Sequence, residues 1–144
     1  MPGQPNHPPV LSFNCSNIQV YEAAGSLAPT TIVSAAAPFD LSADFAFSDT
    51  LATGLVNLLA SQPAISHWNI TYSAESLGPG PEVPLGAAHG IFISGQLSYT
   101  NPATRITVPA GSLTPGVYKL VGVVTLPNLP GVTGFYEGPT IQVY

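Results

Sequence analysis

The sequence predicts an all-β sandwich of about seven to nine strands with one short helix, and three observations carry that prediction. Prolines and glycines, 16 and 14 of the 144 residues, interrupt the chain at short intervals. Between them the apolar residues recur at every second position, the period of a strand with one dry and one wet side. Only one segment, near residues 50–60, also fits a helical spacing. At this length the chain forms about one domain, with enough residues for a core that needs no disulfide.

Residues 1–9, MPGQPNHPP, have neither a cationic start nor an apolar stretch. They read as a flexible proline-rich arm and not as a signal peptide, leaving residues 10–144 as a single domain. Residues 10–16 and 18–21 form one strand with a break, or two short ones. Residues 30–35 form another, which Pro38 ends. Over 41–48, Leu41, Ala43, Phe45 and Phe47 share one face, and Ser42, Asp44 and Ser48 the other. Residues 49–61 favour a short helix across one end of the sandwich. Leu51, Leu55, Leu58 and Leu59 make its stripe and Asp49 or Thr50 its cap, although Gly54 costs about 1 kcal/mol relative to alanine. Residues 65–75 are the clearest strand: Trp68, Ile70, Tyr72 and Ala74 point one way, and His67, Asn69, Thr71 and Ser73 the other. Residues 77–86 read as a loop. A strand resumes over 91–99 with a bulge at Gly95, and a shorter one follows over 104–108 with Ile106 and Val108 inward. Over 116–126, Lys119 faces water. That sends Tyr118, Leu120, Val124 and Leu126 inward and leaves Val117, Val121 and Val123 outside. Residues 127–138 read as a second loop and 139–144 as the last strand.

The run Thr114-Pro115-Gly116-Val117-Tyr118-Lys119-Leu120 resembles the start of strand F in immunoglobulin-like and fibronectin-like Greek-key sandwiches. In those domains a tyrosine packs at the corner and bonds back to backbone a few residues upstream, and an antibody cysteine follows two residues later. Leu120 holds that place here. Trp68, 50 residues earlier, resembles the core tryptophan of strand C, with Phe45 or Phe47 on strand B. The resemblance spans residues 41–144 as a pattern, and implies an immunoglobulin-like sandwich whose core lacks the disulfide.

Charge narrows the function. Charged residues are 6% of the chain, against roughly 25% in an ordinary soluble domain. The net charge is -5, and Arg105 and Lys119 are the two cationic side chains. Two cations cannot neutralise a phosphate track, so a nucleic-acid surface is excluded, as is an anionic membrane surface. No window reaches 18 apolar residues, so no membrane insertion is expected.

Catalytic groups are scarce. Cys15 has no basic neighbour to lower its pKa and reads as a buried or half-buried thiol. His7, His67 and His89 have no metal-ligand spacing. Glu75 and Glu82 flank a Gly-Pro-Gly-Pro loop and read as solvated loop charges, not as a glycosidase dyad, and Asp40 and Asp49 stand at opposite ends of a strand, too far apart to share an ion. Gly78-Pro79-Gly80 lacks the lysine and amides of a phosphate cradle. No catalytic residue, metal or cofactor is expected.

The surface is the more informative part. Val117, Val121 and Val123 form an apolar strip beside Lys119, while Phe135-Tyr136-Glu137 places two adjacent aromatics in a loop. An apolar patch beyond a few hundred Å² is unusual on a monomer, and few charges oppose packing of many copies. The expectation is a non-enzymatic module working through protein contact or self-assembly. Val117, Val121, Val123, Phe135 and Tyr136 form its interface, and Phe135, Tyr136 and Glu137 any ligand contact. Composition favours an extracellular or particle surface. A carbohydrate-binding module using Trp68, Tyr72, Phe135 and Tyr136 is the alternative, and a small hydrolase the third.

Overall fold

Alternation decides the layers. In the computed structural model, which describes residues 11–22, 24–127 and 132–144, ten strands and one helix follow in the order β1 (Ser12–Tyr21), β2 (Pro29–Thr30), β3 (Ile32–Val33), β4 (Phe39–Ser48), α1 (Ala52–Ser61), β5 (His67–Ser76), β6 (Val83–Ile91), β7 (Ser98–Tyr99), β8 (Ile106–Val108), β9 (Gly116–Thr125) and β10 (Thr133–Val143). The proline-rich arm over residues 1–9, with His7, lies outside the described residues. One sheet runs β2-β1-β4-β7, with β8 also on β4, and the other runs β3-β10-β9-β5-β6. The result is a mostly-β, sandwich-like fold of two sheets, one partly curled in the manner of a half-barrel.

The core lies where the two dry faces meet. Phe45, Leu41, Ile70, Trp68, Leu120 and Val124 are fully or almost fully buried, as their alternation requires. Trp68 meets Phe45 edge-on at 5.1 Å, and Phe45 stacks on Tyr99 at 5.1 Å. Tyr118 donates its hydroxyl to the Thr114 carbonyl at 2.9 Å, the corner bond expected of that motif.

Several elements differ from the sequence reading. The break in the first strand is a bulge: the β1–β4 register shifts between Ser16 and Gln19, where Asn17 adopts φ 61. Residues 30–35 divide, because the chain changes sheets there; β2 joins β1, and β3 runs parallel to β10. The region read as a loop over 77–86 and a strand over 91–99 is instead a hairpin partner of β5 over Val83–Ile91, followed by a turn at Gly95 (φ 82). Small residues disguise that strand. Gly90 is required because a β-carbon there would meet the Trp68 ring at 2.1 Å. The last strand begins at Thr133 rather than Pro139, and residues 128–131 of the expected loop lie outside the described residues.

Helix α1 forms, but its buried stripe is Ala52, Val56 and Leu59, while Leu51 and Leu58 are exposed. Neither Asp49 nor Thr50 caps it; Leu51 is the N-cap without a side-chain bond, and Asp49 accepts from the Ser12 hydroxyl instead.

The Trp68–Gly90 contact generates a test. Gly90→Ala forces the indole or β6 to move, and overpacking of this kind costs about 1–3 kcal/mol. A lowered urea midpoint is the expected result; an unchanged midpoint means β6 does not sit against the indole as described.

Candidate functional site

The outer face of the second sheet is where the sequence-selected surface residues gather. β9 is its centre, with β10 on one side and β5 on the other. Outward positions line up in rows across the strands. Phe135 stands opposite Val123, and Val123 opposite Thr71. The next row holds Glu137, Val121 and Ser73, and the next Thr140, Lys119 and Glu75. Gln142 and Val117 end the series. Thr, Ser and Asn fill most remaining outward places because only the strand period, not charge, marks this face.

Exposure varies among the expected interface residues. Phe135 is 63% exposed and Val117 44%. Val123 is half-buried, whereas Val121 is buried at 5%. The strip is therefore narrower than its sequence suggests: Val121 is buried beside Glu137, its cross-strand neighbour, which pairs with Lys119 of the next row at 2.7 Å. Tyr136 departs further from the expectation. It points into the core at 6% exposure, over Gly122, and its hydroxyl has no hydrogen-bond partner among the described residues. Phe135 and Tyr136 lie on opposite faces because residues 133–138 are strand and not loop. Glu137 is exposed and engaged by Lys119.

The aromatic set offered for sugar stacking is mostly internal. Trp68 and Tyr72 are each 1% exposed and Tyr136 is inside, which leaves Phe135 as the one exposed member of the four.

The polar groups elsewhere are committed to structure. Asp40, 3% exposed, receives the Gly25 amide at 2.8 Å, the Thr107 hydroxyl at 2.7 Å and Arg105 Nε at 2.7 Å. Burial by itself would raise its carboxyl, but those donors outweigh it and hold the pKa below the ordinary carboxylate value. Arg105 also lies over the Tyr21 ring at 4.1 Å and donates to the Ser26 carbonyl at 2.6 Å. The sequence reading placed Asp40 at a strand end and gave Arg105 no partner. Their scarcity was the available signal, since a chain with two cationic side chains has few ways to bury an acid.

Cys15 sits half-buried within β1, not at a strand end, and burial pushes its thiol up to about 11. No described hydrogen bond joins it to a histidine. His89 instead pairs with Asn69 at 2.5 Å on the outer face of β5 and β6. Among the described residues no group of three or more metal-ligating side chains converges. No described helix is long and apolar enough to cross a membrane, which says nothing about crossing with strands. No family model matches this chain, and no curated protein matches it.

Two tests follow from these environments. Asp40→Asn strands Arg105 and should cost about 3 kcal/mol, the scale of breaking a buried pair. Because the folded pKa of Asp40 is depressed, its stabilisation is complete above the unfolded value of about 3.9 and disappears as pH falls through the folded value. The variant should therefore show a flatter acid limb in urea midpoints, and an acid limb identical to the parent's would refute the assignment. Secondly, a thiol held near 11 carries little thiolate at pH 8. A disulfide reagent should then label native Cys15 about a hundredfold more slowly than the unfolded chain; equal rates would contradict the burial.

Proposed function

We propose that this chain is a non-enzymatic, immunoglobulin-like module that packs against copies of itself through the outer face of β10, β9 and β5. The observation that carries the reading is the exposed Phe135 beside Val123 and Val117 on a sheet face whose described charges are few and partly paired. Exposed aromatics are the usual anchors of protein contacts, and a polar Thr/Ser rim around them suits a reversible interface. A two-fold contact would bring the same face together twice, which self-complementary apolar rows permit.

The finer fold reading has two supports. The order β3-β10-β9-β5-β6, with a parallel first pair, is compatible with an immunoglobulin front sheet, and the Tyr118 bond to Thr114 resembles its tyrosine corner. Folds host many functions, so the functional claim rests on the face and not on the fold. An extracellular or particle-surface setting fits a surface with so few charges. The glycan reading retains Phe135 alone of its aromatics.

Light scattering on a size-exclusion column across a tenfold dilution tests the proposal. An oligomer should appear, and Phe135→Lys or Val123→Lys should reduce it to the 14.8 kDa monomer without lowering the melting temperature. A parent protein that stays monomeric throughout removes self-packing as its function.

A further inference from the structure

Where the chain passes from β2 in one sheet to β3 in the other, the corner of the sandwich opens into a cleft of about 650 Å³. That is within the range of ligand sites. A second cleft of about 430 Å³ lies on the other side of β2, and the two share Pro29 and Thr30. Two clefts that meet at one dipeptide offer adjacent seats for successive residues of an extended chain.

Both walls of the larger cleft are fixed. Tyr144 donates its amide to the Val33 carbonyl at 3.0 Å, and its carbonyl accepts from Ala35 at 2.7 Å. The facing wall is tied down through the Gly25 amide on Asp40 and the Ser26 carbonyl on Arg105. A groove held this way needs little ordering on binding.

Its chemistry is specific. Glu22 is the one charged side chain lining it. The Tyr144 hydroxyl donates to the Glu22 carboxylate at 3.0 Å, and the tyrosine remains 57% exposed. A carboxylate and an aromatic ring thus stand side by side, a pair that complements a planar cation. Within residues 1–144 no arginine is free to supply the cation, since the one arginine is held internally. Arg105 is held by Asp40 and Lys119 by Glu137, each at 2.7 Å, and these are the chain's two cationic side chains. The net charge of -5 adds a long-range attraction for a basic partner.

We propose that this groove binds an arginine-bearing extended segment of a different protein. The guanidinium would lie on Glu22 and the Tyr144 ring, while a neighbouring apolar residue crosses Pro29 into the smaller cleft beside Ile18 and Pro139. Arginine fits better than lysine because its flat fork matches a carboxylate and stacks on a ring. The groove shares no residue with the Phe135 face, so this proposal stands apart from self-packing.

The test titrates the full-length chain, 15N-labelled, with the acetylated and amidated peptide Ala-Pro-Arg-Pro-Ala, with its citrulline counterpart, and with agmatine. Amide shifts should concentrate in residues 24–37 and at Tyr144. The arginine peptide should bind at least about fivefold more tightly than the citrulline peptide, the scale of two exposed charge contacts. Glu22→Gln should erase that preference and Tyr144→Leu should reduce it, and both residues are exposed, so the remaining spectrum should be unchanged. Equal binding of the arginine and citrulline peptides overturns the charge recognition. Agmatine binding as tightly as the peptide overturns the protein partner in favour of a small amine. Absence of shifts at about 10 mM peptide, above the millimolar affinity expected of so small a contact, overturns the site.

Discussion

The seating of Trp68 between the sheets is the constraint on which the rest of the fold depends. Its indole fills the space above Gly90, meets Phe45 edge-on, and donates Nε1–H to the Ile91 carbonyl at 3.3 Å. One side chain therefore fixes β6 against β5 and holds β4 of the opposite sheet at a set distance. Tyr99 extends the same cluster, lying 6.0 Å from Trp68 and stacked on Phe45. Its hydroxyl receives the Ile93 amide at 3.0 Å, which anchors the chain as it leaves β6. Aromatic contacts of this kind add roughly 0.5–1.5 kcal/mol each beyond their buried area. They are also directional, so they choose a register where aliphatic burial alone would not.

A second, polar link crosses the same core. Tyr72 from the second sheet donates its hydroxyl to the Thr104 carbonyl at 2.8 Å, and the Thr104 hydroxyl donates to the Ala43 carbonyl of the first sheet at 2.6 Å. Thr104 is wholly buried, so leaving either bond unmade would carry a full desolvation cost. The Asp40–Arg105 cluster plays a similar part outside β4, where it ties the segment around Gly25 and Ser26 to the sheet. A chain with few charges thus uses one acid and its sole arginine internally. What remains outside is mostly hydroxyl, amide and apolar surface, with the other acids and Lys119 scattered over it.

The strands legible in the sequence are those with large residues on one side. β4, β5 and β9 each bury the alternating set that their sequences mark, from Leu41 to Phe47, Trp68 to Ala74 and Tyr118 to Val124. The hidden strands are those in which some inward positions are glycine or alanine. β6 turns Ala88 inward and sets Gly90 beneath the indole, and β10 turns Gly134 inward, where a β-carbon would strike the Cys15 sulfur at 2.2 Å. Such positions lack a hydrophobic signal because their partner supplies the volume. The helix misled for a related reason. It has apolar residues on two faces, and spacing cannot say which one meets the sheet. Of the outward positions, Val117 and Val123 were legible from period, while Phe135 was singled out as one of two adjacent aromatics in a segment read as a loop. Val121 and Tyr136 were misplaced because burial on an outer face depends on neighbouring rows, and because residues 133–138 carry the composition of a turn.

Glycine placement also explains why the free surface of this domain is a face and not an edge. Along one flank, β1 approaches β10 across the sandwich, with Cys15 above Gly134 and Ile18 above Gly138. Along the other, Ile106 of β8 lies over Gly86 of β6, and Pro84 removes a donor from the same strand. Both flanks are therefore drawn inward, which curls the structure and protects the strand ends that would otherwise recruit further strands. A chain with 6% charged residues has little electrostatic defence against such pairing. Closure by close packing substitutes for it, and leaves the broad outer face of β10, β9 and β5 as the ordered surface on which Phe135 is displayed.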